Sequence, residues 1–301
     1  MRIGVIVRPR QGLSELETVR SWVDRLRDRG HDVWPRLTFE AGDGSREAAA
    51  LAAAGADLVV AVGGDGTVNE VVNGVLSTAS DWRGRLGVVP EGTGNDFAAG
   101  LGIPLDADEA WQVAVDGEPS PLDVGRINDR YFVNVSVGGF GVSAAGQAPE
   151  EVKRLLGPWT YVVAGARQLT ELEPHRARFL VAADVVHDGE ILMFAVGNGK
   201  QTGGGNMVTP RAQLDDGLLD VLIVPAMTRV EFLSLLPELR TGDHLDDPRV
   251  VYFHASDLVV DSEAPLAVNA DGEAIAGERF HYTVASRKLA VMRPAAAAES
   301  G

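Results

Sequence analysis

Leu58-Val59-Val60-Ala61-Val62-Gly63-Gly64-Asp65-Gly66-Thr67-Val68-Asn69-Glu70 joins an uninterrupted apolar run to a glycine-rich turn and then to the start of a helical pattern. The apolar run is strand-sized and reads as buried on both faces, and the pattern that follows, Val68 to Leu76, reads as a helix. The flanking sequence repeats the alternation. Arg2 to Val7 is a strand, Ser14 to Arg29 an amphipathic helix, and His31 to Leu37 a strand after the helix-ending Gly30. Ser45 to Ala54 is an alanine-rich helix and Leu86 to Val89 a further strand. Strands alternating with helices predict parallel pairing, because parallel neighbours need a crossover connection. Residues 1–120 are therefore expected to form an α/β domain around a parallel sheet.

Beyond Pro119-Ser120-Pro121 the pattern changes to short β-rich segments: Leu122 to Ile127, Tyr131 to Val137, Arg178 to Val186, Ile191 to Val196 and Leu218 to Val224. Val250 to His254, Leu258 to Val260, Leu266 to Val268, Phe280 to Val284 and Leu289 to Met292 follow, separated by turn residues of the kind that connect antiparallel strands. Residues 121–293 are expected to form a mostly antiparallel, β-sandwich-like domain. Helices at Glu150 to Leu172 and Arg229 to Leu239 interrupt it, and residues 294–301 form a flexible tail.

Composition narrows the function. The 301 residues hold 45% apolar side chains, a globular level, and no cysteine, which removes disulfides, thiolate zinc sites and cysteine nucleophiles together. A reducing compartment, the cytoplasm, is expected. No apolar run approaches the roughly 20 residues of a membrane-spanning helix, so any lipid contact is expected to be peripheral. A net charge of -16 speaks against nucleic acid as a partner, since phosphate backbones are bound by clustered Lys and Arg. Lys153, Arg154 and Arg167 are the local basic group that would face an anionic membrane, or else ordinary solvated charges.

The Gly63 to Thr67 turn suits a phosphate group. Glycines let the backbone approach closely, free amides at a helix start favour anionic oxygens, and Asp65 can hold a metal ion bound to the phosphate. A tight strand-to-helix turn without a ligand is the plainer reading. A second loop, Pro90-Glu91-Gly92-Thr93-Gly94-Asn95-Asp96-Phe97, follows the next strand. Ligands of open α/β sheets bind at the carboxyl ends of the strands, so both loops are expected at one site, with Thr93 and Asn95 as hydrogen-bonding groups. Asp96 is either part of that site or the cap of the next helix. The Walker spacing is missing, since Gly199-Lys200 runs into Gln201, and so are G-x-G-x-x-G in the first domain and a G-x-S-x-G elbow.

With Gly197-Asn198-Gly199-Lys200-Gln201, Gly203-Gly204-Gly205, Asp215-Asp216-Gly217-Leu218 and Asn269-Ala270-Asp271-Gly272-Glu273 added to these two loops, the chain resembles the bacterial lipid kinases related to diacylglycerol kinase, and within them the YegS-like group. NAD kinases resemble it at Gly63 to Thr67, and phosphofructokinases are close there. The resemblance implies an ATP-dependent lipid kinase with magnesium. It places ATP against Thr38, Gly63, Gly64, Asp65, Gly66, Thr67, Val68, Asn69, Thr93 and Asn95, with Asp65, Asp96 and Asp123 around the nucleotide's magnesium. The general base falls on Asp271, with Glu273 as support; without the resemblance, Asp271-Gly272 reads as a two-residue hairpin turn. A second, structural magnesium, with calcium a possible substitute, is implied at the Asp216 carboxylate and the backbone carbonyls of Gln213 and Leu218.

The implied partner is a membrane lipid of the diacylglycerol or phosphatidylglycerol type, met transiently at the inner face of the membrane, and a homodimer is allowed. Where these kinases usually carry Asn-Pro, this chain has Arg8-Pro9-Arg10. Leu155, Leu156, Trp159, Tyr161 and Val162 either dip into the lipid interface or pack on the β domain. An NAD kinase and a catalytically silent nucleotide or lipid sensor are the alternatives.

Overall fold

The computed structural model describes residues 1–9, 13–78, 82–139 and 173–295. The expected helix at 150–172, with its basic and aromatic side chains, and most of the expected tail lie outside them. The chain folds as two compact units, one of Met1–Leu122 with the C-terminal residues from Arg287 on, the other of Asp123–Ser286.

In the first unit, strands β1 (Arg2–Val7), β2 (Asp32–Leu37), β3 (Leu58–Gly63) and β4 (Arg85–Pro90) pair in parallel in the order β4-β3-β1-β2. Helices α1 (Leu13–Asp28), α2 (Asp43–Ala53), α3 (Asp65–Thr78), α4 (Asp96–Gly100) and α5 (Ala107–Asp116) supply the crossovers and the flank. Every residue of β3 is buried, as a parallel strand covered on both faces requires. Trp22 of α1 stacks on Trp111 of α5 at 5.7 Å between ring centroids and donates its indole N–H to Asp108. Helix α3 begins at Asp65, so Gly66 and Thr67, read from sequence as loop, form its first turn.

The second unit is a mostly antiparallel β body, as its turn-punctuated segments predict. It contains β5 (Glu118–Ile127), β6 (Arg130–Phe132), β7 (Val135–Gly139), β8 (His175–Val181), β9 (Asp184–Gly197), β10 (Leu219–Pro225), α6 (Arg229–Thr241), a 3-10 turn (Asp243–Asp246), β11 (Val251–Ala255), β12 (Asp257–Ala270) and β13 (Glu273–Arg293). β9 pairs with β7, β8 and β10, and β12 with β7, β8 and β13, all antiparallel. One core cluster gathers Phe132, Phe179, Phe194, Phe280 and Tyr282; the other packs Leu222 and Val224 against Phe232, Leu235 and Leu239 of α6.

Three boundaries differ from the sequence reading. The strand expected at Arg178 to Val186 is broken by a two-residue turn at Ala182 and Ala183, both at positive φ, with Val181 paired to Asp184. Alanine carries no turn signal, so the break was silent. The two units divide between Leu122 and Asp123, close to the expected boundary, but β5 runs through Pro119 and Pro121, so the division falls inside a strand and not at a linker. Leu289 to Met292, expected in the β domain, is the end of β13, where Ala290 and Val291 pair in parallel with Arg85 and Leu86 of β4, so this stretch belongs to the first unit.

Candidate functional site

The carboxyl ends of β1, β2, β3 and β4 carry the first set of candidates. At the end of β2, Thr38 is buried, and both its amide and its hydroxyl donate to the Val7 carbonyl of β1. Arg8, the residue that follows β1, donates its amide to Val62 of β3, while its guanidinium lies 3.5 Å from Glu70 of α3. The other Glu70 oxygen accepts the Gly44 amide at the start of α2. Glu70 thus ties three crossover elements together at this edge.

The two glycine loops meet within this unit. Glu91 donates its amide to Gly63, and a Cβ on Gly92 would lie 2.4 Å from the Gly64 Cα, an approach that only a residue without a side chain permits. The amides of Thr67 and Val68 close the first turn of α3 on Gly64. Thr67, Val68 and Asn69 are buried, Asn69 receiving the Asn73 amide, so a contact between Val68 and a nucleotide would run through its main chain. Gly66 and Thr93 are exposed.

The choice left open for Asp96 resolves against capping: the N-cap of α4 is Asn95, at φ 53° and without a side-chain cap bond. Asp65 supplies the acceptor instead, receiving the Phe97 amide at 3.0 Å. Asn95 turns both ends of its amide onto Gly92, donating to the carbonyl and accepting from the N–H, so its side chain shapes the loop. Asp65 and Asp96 remain at the loop junction, Asp96 buried.

In the second unit Asp271 and Gly272 form the two-residue turn between β12 and β13, with φ of 49° and 96° and Ala270 paired to Glu273. This is the Asp-Gly hairpin that the residues alone suggest. It also presents a carboxylate. Asp271 is 9% exposed, and its oxygens accept the Val133 amide at 2.6 Å and the Asn134 amide at 3.1 Å. Two main-chain donors from one dipeptide fix the orientation of the carboxylate. Glu273, half-exposed, lies 3.5 Å from Arg130.

Asp123 is 2% exposed and is held at three atoms: its amide donates to the Leu214 carbonyl, its own carbonyl accepts from the Asn198 side chain, and its carboxylate accepts the Gly217 amide at 2.6 Å. It is therefore joined to the very loop, Gln213 to Leu218, that was read as a separate metal site. Within that loop the exposed Asp216 accepts the Leu218 amide. Among the described residues no three His, Asp or Glu side chains gather as a metal cluster. An exposed carboxylate beside main-chain carbonyls is still an all-oxygen donor set of the kind a weakly held hard cation accepts.

Three features went unread in the sequence. The Val133-Asn134 amides carried no signal, because a main-chain donor has no residue signature. Asn198 stands within Gly197-Asn198-Gly199-Lys200-Gln201, whose spacing gives it no role of its own. On β10, Asp220 is buried, with the Tyr252 hydroxyl at 2.5 Å and the His254 ring at 3.1 Å. Burial pushes its carboxyl up, partly offset by Tyr252 and His254.

Comparison with known proteins identifies the family and the fold. Residues 2–127 match the diacylglycerol kinase catalytic domain, and residues 135–293 match the YegS C-terminal NAD kinase beta sandwich-like domain. A "probable lipid kinase YegS-like" of Chromohalobacter salexigens is 39% identical over 282 residues, 93% of this chain and 90% of the relative. One from Pseudomonas aeruginosa is 36% identical over 283 residues, with the same coverage. The crystal structure of a diacylglycerol kinase from Bacillus anthracis superposes with a TM-score of 0.74 at 22% identity, covering 97% of this chain and 96% of that one; another chain from that organism reaches 0.84 at 24%, covering 97% and 95%. An NAD kinase from Archaeoglobus fulgidus in complex with ATP shares the fold at a TM-score of 0.54 and 13% identity, with 97% and 94% covered.

Proposed function

The chain belongs to the YegS-like lipid kinases, relatives of diacylglycerol kinase, and from that membership we propose that it moves the γ-phosphate of ATP onto a hydroxyl of a membrane lipid of the diacylglycerol or phosphatidylglycerol type. The observation that carries the reading is Asp271, a carboxylate oriented by two main-chain amides in a turn of the β unit. A lipid hydroxyl is a poor nucleophile at neutral pH. Asp271 takes its proton as the oxygen–phosphorus bond forms and the bond to the ADP oxygen breaks, the work of a general base.

The first unit binds the nucleotide. Main chain at Gly63 and Gly64, the first turn of α3 and the exposed Thr93 form the phosphate side, and Thr38 anchors the neighbouring strand end. Magnesium, when bound with ATP, offsets charge on the phosphates. Asp65, Asp96 and Asp123 are the groups that would surround it, and an ionised carboxylate has about four acceptor sites, so the Phe97 amide on Asp65 and the Gly217 amide on Asp123 are compatible with that role. Gln213, Asp216 and Leu218 would hold a second magnesium or calcium ion. Glu273, on the exposed side of the same turn, is the residue that would support Asp271, and its carboxylate lies 3.5 Å from Arg130.

Radiolabelled ATP offered with a panel of lipids in mixed micelles, and with NAD in a parallel arm, tests the reading. Transfer to a lipid and none to NAD is the expected result. Label on NAD would mean an NAD kinase, and nucleotide binding without transfer to any acceptor a silent sensor. Contact with the lipid is taken to be peripheral and at the inner face of the membrane; among the described residues no helix is long and apolar enough to cross one.

A further inference from the structure

The dipeptide that orients Asp271 is itself held from behind by one buried side chain. Asn198, at the end of the β9 segment, donates its Nδ2 hydrogens to the Val133 carbonyl at 3.0 Å and the Asp123 carbonyl at 3.2 Å. The main-chain amides of Asn198 and Gly199 both donate to the Asn134 carbonyl, at 2.9 and 2.8 Å. Residues 133 and 134 therefore point their N–H groups at Asp271 and their carbonyls at residues 198 and 199. Moving Asn198 moves the donors that aim the base. We propose that Asn198 is a positioning residue for phosphoryl transfer, fixing the orientation of Asp271 through the Val133-Asn134 peptide; this rests on the lipid-kinase reading above.

Asn198 is fully buried, and its Oδ1 accepts from nothing among the described residues. A buried unsatisfied oxygen costs free energy. The site retains it because the same amide closes two carbonyls that an aliphatic side chain would strand. An isosteric carboxylate at this position would set oxygen against both carbonyls, and alanine would leave them unpaired, so Asn is the residue type whose amide serves two acceptors within this space.

The test separates positioning from mere stability. In Asn198→Ala, and in Asn198→Ser, which keeps one donor, where the alanine variant fails to fold, kcat for transfer to lipid is expected to fall about 10- to 100-fold, the scale of a displaced catalytic group, while the affinity for ATP stays within about twofold. In an Asp271→Asn background the same substitution is expected to change the residual rate by less than about twofold, because residues acting as one unit are not additive. Leu235→Ala, in the core under α6, serves as the control that lowers Tm with kcat unchanged. Amide hydrogen exchange at Val133 and Asn134 is expected to accelerate in the Asn198 variants.

A wild-type kcat in Asn198→Ala, an equal loss in both backgrounds, or unchanged exchange at those two amides would overturn the proposal. If the wild-type protein transfers phosphate to no lipid, the lipid-kinase reading fails, and the exchange experiment, which needs no substrate, decides the role of Asn198 by itself.

Discussion

Asp271 sits in the left-handed region at φ 49°, where Asn is the best tolerated side chain after Gly, so Asp271→Asn removes the charge and keeps the turn. Its kcat is expected to fall by about 10²- to 10⁴-fold, the usual worth of a general base, with ATP binding by calorimetry unchanged. An Asn variant as active as the wild type would take Asp271 out of the reaction. Gly92 tests the other half of the machinery. A methyl group there meets the Gly64 Cα at 2.4 Å, a main-chain atom that cannot swing away, and the Asn95 Oδ1 at 2.6 Å. Gly92→Ala is expected to force the two loops apart and to weaken ATP binding by about tenfold or more, with a loss of stability of about 1–3 kcal/mol. Retained ATP affinity would show that the junction of the loops is not where the phosphates lie.

Among the elements, α6 begins with a reciprocal cap: Thr228 accepts the Glu231 amide, and Glu231 accepts the Thr228 amide at 2.8 Å. The Thr228 hydroxyl, which donates to the same carboxylate at 2.6 Å, and the Thr228 amide hold the Glu231 carboxyl below its ordinary range. Thr228→Ala is expected to cost about 1 kcal/mol, read as a lowered urea midpoint with the slope unchanged. The helix ends at Gly242, and the 3-10 turn beyond it buries His244 completely, its ring nitrogens 3.2 Å from the Glu238 carbonyl and 3.1 Å from that of Val208. Burial pushes the His244 imidazole below its ordinary value of 6.5, against the two carbonyls and the charges of Glu238 and Asp243. Its folded form therefore takes up a proton later than the unfolded chain as pH falls. The stability it contributes is present in full above about pH 6.5 and is lost as pH drops from there toward the folded value. Tm is expected to decline across that window, and less steeply in His244→Gln; equal slopes would assign the acid loss to other groups.

Over the whole molecule, a net charge of -16 opposes approach to an anionic membrane, although the proposed acceptor lies in one. Raising the ionic strength from about 0.01 to about 0.15 M shortens the screening length from about 30 Å to about 8 Å. Sedimentation with vesicles rich in an anionic lipid is expected to improve over that range, the reverse of what a polybasic protein shows; a decline would point to a local basic face that outweighs the net charge. How much of the molecule was legible in advance follows from the range of the interactions involved. Alternating strand and helix patterns, the two glycine loops and the Asp271-Gly272 turn are periodicities and dipeptides a few residues long, and the amino-acid order by itself determined them, along with the α/β front half and the antiparallel β body. The return of β13 to β4, the break at Ala182-Ala183, the grip of the 213–218 loop on Asp123 and the clamp of Asn198 behind Asp271 were decided only by tertiary structure. Val133 and Asp271, for example, lie 138 residues apart, and the donor is a main-chain amide that every residue except proline possesses. Such a bond leaves no trace in residue type or spacing, so only the folded chain shows which amide meets which carboxylate.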